Sequence, residues 1–255
     1  MLFSIFGSDA RQSWLASLLM QDGYTVVHTH SEIAPADAVI LPIPTLNAAQ
    51  EITGSSIPFP ALLAQLPRGS IVWGNCIAAF RSEAERHQIK LFDFAEYEAF
   101  AEGNAIPTAE GALQLVMQEL PGTIFGGKFL VIGYGRIGKA LTARLLALGA
   151  EVTVARRSAC EPLPCRCDRS GVYRYPLCEY DAIFNTAPHA VFSENDCQKT
   201  KQDCLLIDLA SAPGGICRTT ARRLIHATGL PAKTAPKAAA EIMKTIILTE
   251  TEVEP

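Results

Sequence analysis

The sequence predicts an α/β protein built on two parallel sheets, and three features of the chain support this fold class. Short apolar segments alternate with amphipathic helical segments along most of the 255 residues. Strands that are separated by helices usually pair in parallel through right-handed crossovers. A glycine-rich turn containing Gly133, Gly135 and Gly138 joins one such strand to one such helix. The length is sufficient for two modest domains, each with its own hydrophobic core.

The first hundred residues are predicted to form a domain with five strands. Asp9 can cap a helix that begins near Ala10 and ends at Gly23, because its carboxylate can accept the free N–H groups of the first turn. Pro42 stops the third strand. The predicted strands are residues 2–6, 24–27, 38–41, 70–73 and 89–94. We expect a flavodoxin-like or Rossmann-like domain over residues 1–106.

A long helix over residues 108–120 is predicted next, and residues 107–121 are expected to connect two domains. Thr108 and Glu110 lie at its start, where hydroxyl and acidic side chains complement free N–H groups. Pro121 and Gly122 end it.

The second domain is predicted over residues 122–232, with a final helical segment over residues 233–255. Its strands are expected at residues 129–132, 152–155, 182–185 and 205–209. The final segment has apolar residues at helical spacing over residues 237–248, and we expect it to pack near the first domain. The whole chain is therefore predicted to form two doubly wound parallel-sheet domains, Rossmann-like or flavodoxin-like, joined by a long helix.

Composition and charge exclude several classes of function. A net charge of -4 provides no basic face for nucleic acid or for an anionic membrane surface. No apolar run approaches the ~20 residues that a membrane-spanning helix needs, and the N-terminal strand lacks the charge pattern of a signal peptide. The eight cysteines lack zinc-site spacing. We expect a cytoplasmic protein with free thiols and no metal.

The glycine-rich turn predicts a dinucleotide site. Gly133 is expected to make the tight turn, Gly135 to let a diphosphate approach the backbone, and Gly138 to let helix and strand pack closely. The free backbone N–H groups at the start of the following helix are expected to point at the phosphates of the dinucleotide. Tyr134, Arg136 and Ile137 lie inside this loop and are expected to contact the cofactor. The alternative is a glycine-rich turn that binds no nucleotide.

The end of the next strand predicts which dinucleotide is bound. Enzymes that use NAD usually place a carboxylate there to accept the ribose hydroxyls. This chain instead has Arg156, Arg157 and Ser158, which would bind the 2′-phosphate of NADP through charge-assisted hydrogen bonds. NADP is therefore predicted over NAD, and the alternative is that the arginines are only a solvated surface pair.

Several segments in order along the chain resemble the family formed by the A subunits of dipicolinate synthase. The matching segments are residues 7–12 (GSDARQ), 37–44 (DAVILPIP), 104–112 (NAIPTAEGA), 133–138 (GYGRIG), 185–188 (NTAP), 207–215 (IDLASAPGG) and 229–236 (GLPAKTAP). The resemblance implies hydride transfer to NADP+ from a dihydrodipicolinate-type intermediate of the lysine pathway, giving dipicolinate in the mother-cell cytoplasm during sporulation. It also implies a partner, the flavoprotein-like B subunit of dipicolinate synthase. A homo-oligomer is compatible with the sequence.

Such a reaction needs groups that hold two carboxylates and groups beside the nicotinamide. Arg11, at a helix N-terminus, is predicted to clamp one carboxylate, and Lys233 is a candidate for the other. Thr108 and Ser211 are further candidates for substrate binding. Strand ends in this type of fold face the ligand, so the predicted cofactor-binding residues include Thr186, Ala187 and Pro188. The candidate catalytic residues are Asn185, Asp208 and Glu110. The sequence does not identify a general base.

Two other functions stay open. A D-2-hydroxyacid dehydrogenase has a similar two-domain plan, but it needs an arginine, a carboxylate and a histidine near the strand ends of the second domain. Residues 208–213 (DLASAP) contain no such arginine, and residues 235–237 (APK) contain no histidine. A non-catalytic regulatory protein that binds NADP and activates a partner is the other alternative, because no general base is evident.

Overall fold

The structure of the chain, a computed structural model, describes residues 1–30, 32–157, 162–211, 213–217 and 222–251. The strands are β1 Leu2–Phe6, β2 Thr25–Thr29, β3 Ala38–Ile40, β4 Ile71–Gly74, β5 Lys90–Asp93, β6 Lys128–Ile132, β7 Glu151–Arg156, β8 Arg166–Arg169, β9 Ala182–Asn185, β10 Leu205–Asp208 and β11 Arg223–His226. The helices are α1 Ala10–Gln21, α2 Phe59–Gln65, α3 Arg81–Arg86, α4 Glu98–Glu119, α5 Arg136–Ala147, α6 Glu194–Lys199, α7 Leu230–Thr234 and α8 Pro236–Glu250. None of these helices combines the length and the apolar composition that a membrane span requires.

The chain divides into two compact units. Unit 1 comprises Met1–Asn104 and Ala235–Pro255, and unit 2 comprises Ala105–Thr234. Each contains one sheet in which all strands pair in parallel. The fold class predicted from the sequence, α/β with two doubly wound parallel sheets, is confirmed.

Unit 1 has the strand order β2-β1-β3-β4-β5, which is that of flavodoxin-like sheets. Alternate residues of β3 face opposite sides of the sheet. On one side Ile40 packs in a core with side chains of α1 and α8, and on the other Val39 packs with side chains of α2. Asp9 caps α1 as predicted, because its side chain accepts the backbone N–H of Arg11. Helix α8 therefore completes the core of unit 1.

Helix α4 begins ten residues earlier than the sequence predicts, at Glu98 instead of Thr108. Gly103 and Pro107 lie inside the helix, and both residues usually disfavour a helix interior. Close packing accounts for the glycine, because a Cβ at Gly103 would lie 2.7 Å from Cδ1 of Ile242. Pro107 is buried. Tertiary packing thus overrides the local preference, and Thr108 is an interior residue of the helix rather than part of its first turn.

Unit 2 has the strand order β11-β10-β9-β6-β7-β8, which is that of dinucleotide-binding Rossmann domains. Its central strands are buried on both faces, and these are the strands that the sequence predicted. The two edge strands, β8 and β11, were not predicted. Each begins with an exposed arginine and lacks an apolar run, so they carry little of the pattern by which strands are recognised. The point where the strand order reverses lies between β6 and β9.

Candidate functional site

A cleft of about 440 Å³ opens in unit 2 at the carboxyl ends of β6, β7 and β9. This is the topological switch point of the sheet, where ligands bind in open α/β folds. The lining residues are Gly133, Tyr134, Gly135, Lys139, Ala155, Arg156, Arg157, Ser170, Thr186, Ala187, Pro188 and His189. Most of the predicted cofactor-binding residues therefore lie together in one cleft.

The glycine-rich loop has the geometry that close backbone packing requires. Gly133 has φ of +95°, and a Cβ there would lie 2.4 Å from Oγ1 of Thr186. A Cβ at Gly138 would lie 2.3 Å from the carbonyl oxygen of Gly133. At Gly135, by contrast, no atom of the described residues lies within 4 Å of the Cβ position. Two glycines are thus required by the protein itself, whereas the third leaves open space in front of the loop.

The N-terminus of α5 faces this space with its backbone N–H groups. Gly135 is the N-cap residue and provides no side-chain cap, and the first turn contains no acidic residue. The free N–H groups and the positive end of the helix dipole favour an anion at this position. Arg136, the first residue of the helix, is exposed, and Ile137 packs against the core of unit 2.

Basic side chains border the cleft beside the end of β7. Arg156 is half-buried, and its Cζ lies 5.6 Å from the centre of the Tyr134 ring. Lys139 Nζ lies 5.9 Å from the same ring. Arg157 is exposed and also lines the cleft, whereas Ser158, which the sequence placed in the cofactor site, lies outside the described residues. Within the described part of the chain, the residues that line the cleft include no carboxylate.

Four lining residues were not among the predicted cofactor-binding residues: Lys139, Ala155, Ser170 and His189. Ser170 follows the unpredicted strand β8, and its N–H donates to the carbonyl of Arg156 at 3.2 Å. Lys139 lies one residue beyond the glycine motif, on the first turns of α5. Its position directly after the motif was the available signal, since a side chain on the first turns of the helix stays close to the loop. Ser170 had no such signal.

The loop after β9 is held against β6. Thr186 donates from both its backbone N–H and its Oγ1 to the carbonyl of Ile132, at 2.8 and 3.0 Å. The side chain of Asn185 forms two hydrogen bonds with the backbone of Ala187: its Oδ1 accepts the N–H at 3.0 Å, and its Nδ2 donates to the carbonyl at 2.9 Å. The predicted residues Thr186, Ala187 and Pro188 therefore present a fixed wall to the cleft.

Asp208 lies at the end of β10 and is buried. Its Oδ1 accepts the side-chain amide of Asn185 at 2.8 Å and the N–H of Ala210 at 3.2 Å. Its Oδ2 accepts the N–H groups of Gly215 and Ile216 at 2.8 and 3.0 Å. With four donors around it, this carboxylate is already satisfied within the protein. The geometry favours a positioning role for Asn185 and Asp208 over the predicted direct part in catalysis.

The other predicted site residues are dispersed. Glu110 is exposed and forms an ion pair with Arg144 at 3.0 Å, so its carboxylate is engaged on the surface of unit 2. Thr108 is buried inside α4. Ser211 and Lys233 are not buried, and Lys233 Nζ donates to the carbonyl of Thr228 at 3.1 Å. None of these four residues lines the cleft.

Arg11 lies in unit 1 and is buried. Its Nη2 donates to Oδ2 of Asp9 at 2.8 Å and to the carbonyl of Ile43 at 2.7 Å. A substrate carboxylate would have to compete with Asp9 for this guanidinium. The arrangement favours a structural role for Arg11 over the predicted carboxylate clamp.

Seven cysteines fall within the described residues, and all seven are free thiols. Cys160 lies outside them. In the part of the chain that the structure describes, no three His, Cys, Asp or Glu side chains converge as metal ligands.

Comparison with known proteins adds sequence and structural similarities to this geometry. No family model matches the chain. Over 177 residues, the sequence is 32% identical to the A subunit of dipicolinate synthase from Bacillus subtilis (strain 168). The chain is similar in sequence to this dipicolinate synthase subunit. The aligned part makes up 65% of this chain and 58% of the Bacillus protein, so the match spans little more than half of the relative's length.

Solved structures of dipicolinate synthase A subunits share the fold over nearly the whole chain. The Bacillus halodurans protein superposes with a TM-score of 0.81 at 24% identity, covering 100% of this chain and 98% of that one. The Bacillus subtilis protein gives 0.78 at 24% identity, covering 99% and 96%. A transhydrogenase from Sinorhizobium meliloti gives 0.66 at 15% identity, covering 98% and 94%. The fold is therefore the one found in these dipicolinate synthase proteins and in dehydrogenase-type proteins.

Proposed function

We propose that the chain is the A subunit of a dipicolinate synthase. In this proposal it is an NADP-dependent oxidoreductase that oxidises a dihydrodipicolinate-type intermediate of the lysine pathway to dipicolinate during sporulation, in the mother-cell cytoplasm. The observation that carries the proposal is the cleft in unit 2, where an uncapped helix N-terminus and a glycine loop lie beside three basic side chains. The relationship to the Bacillus subtilis dipicolinate synthase protein supports the substrate class.

The residues of the cleft fit a phosphorylated dinucleotide. The backbone N–H groups after Gly135 would hold the diphosphate, because the space in front of this glycine admits an anion. Arg156 and Arg157, with Ser158 as a further candidate, would hold the 2′-phosphate by charge-assisted hydrogen bonds. When bound, the nicotinamide supplies the hydride acceptor.

The chain's own residues would act mainly by orientation. Thr186, Ala187 and Pro188 follow β9, and the bonds of this loop to β6 and to Asn185 give a rigid surface beside the reacting ring. Asn185 and Asp208 would act through this loop as positioning residues. Ser211 and Lys233 remain our candidates for contact with the substrate, because their side chains reach the surface near strand and helix ends of unit 2.

One observation favours a second function, that of an NADP-binding protein that activates a partner. The candidate catalytic side chains of Asn185, Asp208 and Glu110 are all engaged in internal hydrogen bonds or ion pairs. Turnover would then depend on a partner, of the kind that the designation of the relatives as one subunit of an enzyme implies. A lactate-type dehydrogenase is less compatible with the chain, because the loop after Asp208 contains no arginine over residues 209–217.

The test is to mix the purified chain with NADP+ and the lysine-pathway precursor, with and without a flavoprotein-like B subunit, and to follow the absorbance of the aromatic dicarboxylate. Formation of dipicolinate by the chain alone supports the catalytic assignment. Formation only with the B subunit supports the activating role. Binding of NADPH without dipicolinate under either condition would reject both assignments, and reduction of 2-keto acids would point to the lactate-type enzyme.

A further inference from the structure

Two cationic side chains that line the cleft lie close to one aromatic ring. Lys139 reaches the Tyr134 ring from α5, and Arg156 reaches it from the end of β7, with distances of 5.9 and 5.6 Å to the ring centre. The negative face of an aromatic ring attracts such cations. We call these three side chains the Tyr134 cluster.

The Tyr134 cluster contributes two of the positive charges that line the cleft. Arg157 adds a third cation to the same lining, and none of the lining residues that the structure describes is Asp or Glu. Like charges close together repel, more strongly where protein replaces water. The chain as a whole is acidic, with a net charge of -4. A local concentration of cations in such a chain is typical of an anion-binding site.

The anion that the Tyr134 cluster would bind is expected to differ from the diphosphate of a dinucleotide. The diphosphate position is already served by the N–H groups at the start of α5, next to the glycines. Arg156, in contrast, ends the strand beside which the adenosine ribose lies in this type of fold. Because Tyr134 links Lys139 to Arg156, the lysine is associated with the ribose end of the site.

We propose that Lys139 and Tyr134 determine the preference for a dinucleotide phosphorylated on the adenosine ribose. This inference rests on the proposed function, since it deepens the assignment of the same cleft. Lys139 binds the phosphate directly as a second cation opposite Arg156. Tyr134 is a positioning residue: its ring holds the guanidinium of Arg156 toward the cleft, and its hydroxyl is not required.

The experiment is a fluorescence titration with NADPH and with NADH, which needs neither substrate nor partner. The variants are Lys139→Gln, Tyr134→Leu and Tyr134→Phe, each checked for folding by its thermal transition. Lys128→Gln is the matched control, because Lys128 lies at the opposite end of β6, paired with Glu179 at 3.1 Å. It removes the same charge from the same unit away from the cleft.

We expect Lys139→Gln and Tyr134→Leu each to raise the Kd for NADPH about tenfold, while the Kd for NADH changes less than about twofold. Tyr134→Phe should bind NADPH like the parent chain, because the ring remains. The NADPH affinity of Lys139→Gln should also depend less steeply on salt concentration.

Equal losses for NADPH and NADH would overturn the inference, because they would assign Lys139 to the diphosphate. A loss in Tyr134→Phe as large as in Tyr134→Leu would refute the positioning role of the ring. Unchanged NADPH binding in Lys139→Gln and Tyr134→Leu would also refute the inference, while the proposed function would stand. If the parent chain binds neither dinucleotide, the proposed function itself fails.

Discussion

The side-chain amide of Asn185 donates to Oδ1 of Asp208 at 2.8 Å, and both residues are buried in unit 2. Through this bond the end of β9 is tied to the end of β10, and Asp208 extends the tie to Gly215 and Ile216. The pair also accounts for two glycines of the loop, because a Cβ at Gly214 would lie 2.5 Å from Oδ2 of Asp208 and one at Gly215 would lie 2.4 Å from Nδ2 of Asn185.

Asp208→Ala should destabilise unit 2 by about 2–4 kcal/mol, because each buried N–H group that loses its acceptor costs about 1–3 kcal/mol. Urea unfolding followed by circular dichroism measures this change. Ser211→Ala is the control, since Ser211 is exposed in the same loop. A variant with unchanged stability and NADPH binding but no turnover would instead support a direct catalytic role for Asp208.

Gly135→Ala should leave the stability nearly unchanged and weaken NADPH binding by about tenfold or more. The new methyl group would project into the open space before α5 and obstruct the diphosphate. Gly122→Ala is the matched control, because no described atom lies within 4 Å of its Cβ position either and it is remote from the motif in sequence. Unimpaired binding in Gly135→Ala would show that the dinucleotide does not approach this backbone.

Gly138→Ala should behave differently and lower the stability by about 1–3 kcal/mol, the usual cost of overpacking. Its Cβ would lie 2.3 Å from the carbonyl oxygen of Gly133, so the start of α5 or the loop after β6 would have to shift. The thermal transition measures the loss. A stability equal to that of Gly135→Ala would contradict the close contact between these two glycines.

Arg11→Ala should lower the stability of unit 1 by about 1–3 kcal/mol, because the carbonyl of Ile43 and the carboxylate of Asp9 both lose a charged donor. Arg68→Ala is the control, because Arg68 is an exposed arginine of the same unit. If Arg11→Ala instead raises the KM for the dicarboxylate and leaves the unfolding curve unchanged, Arg11 is the substrate clamp that the sequence predicted.

Cys197 and Cys204 should resist alkylation in the folded chain. Burial raises the pKa of both thiols to about 12, and a hydrogen bond with Cys217 contributes at Cys197. Because the thiolate is the reactive form, little of it exists at about pH 8, and reactivity should rise only as the pH approaches the raised pKa. Mass spectrometry after iodoacetamide treatment should show exposed Cys178 labelled first. Equal labelling of all three before unfolding would refute the burial of Cys197 and Cys204.

The elements that could be predicted were those whose local pattern agrees with the fold. The central strands β6, β9 and β10 are largely apolar runs. Asp9 and the glycines of residues 133–138 are recognisable by residue type, because a capping carboxylate and a missing Cβ act directly on the neighbouring backbone. The edge strands β8 and β11 could not be recognised, because a strand at the edge of a sheet that carries arginines has no apolar run. The start of α4 was misplaced because Gly103 and Pro107 oppose a helix locally.

By itself, the sequence determined the fold class, the glycine-rich loop and the two arginines that follow the next strand, because these depend on residue type and short-range order. The tertiary structure alone decided which side chains share the cleft and which are already satisfied. Strand β8 brings Ser170 to the cleft, and the cations of Lys139 and Arg156 lie 5.9 and 5.6 Å from the Tyr134 ring centre. Asp208 found a donor in Asn185, 23 positions away. Hydrogen bonds and ion pairs form between groups that the fold brings together, and sequence spacing does not encode that proximity.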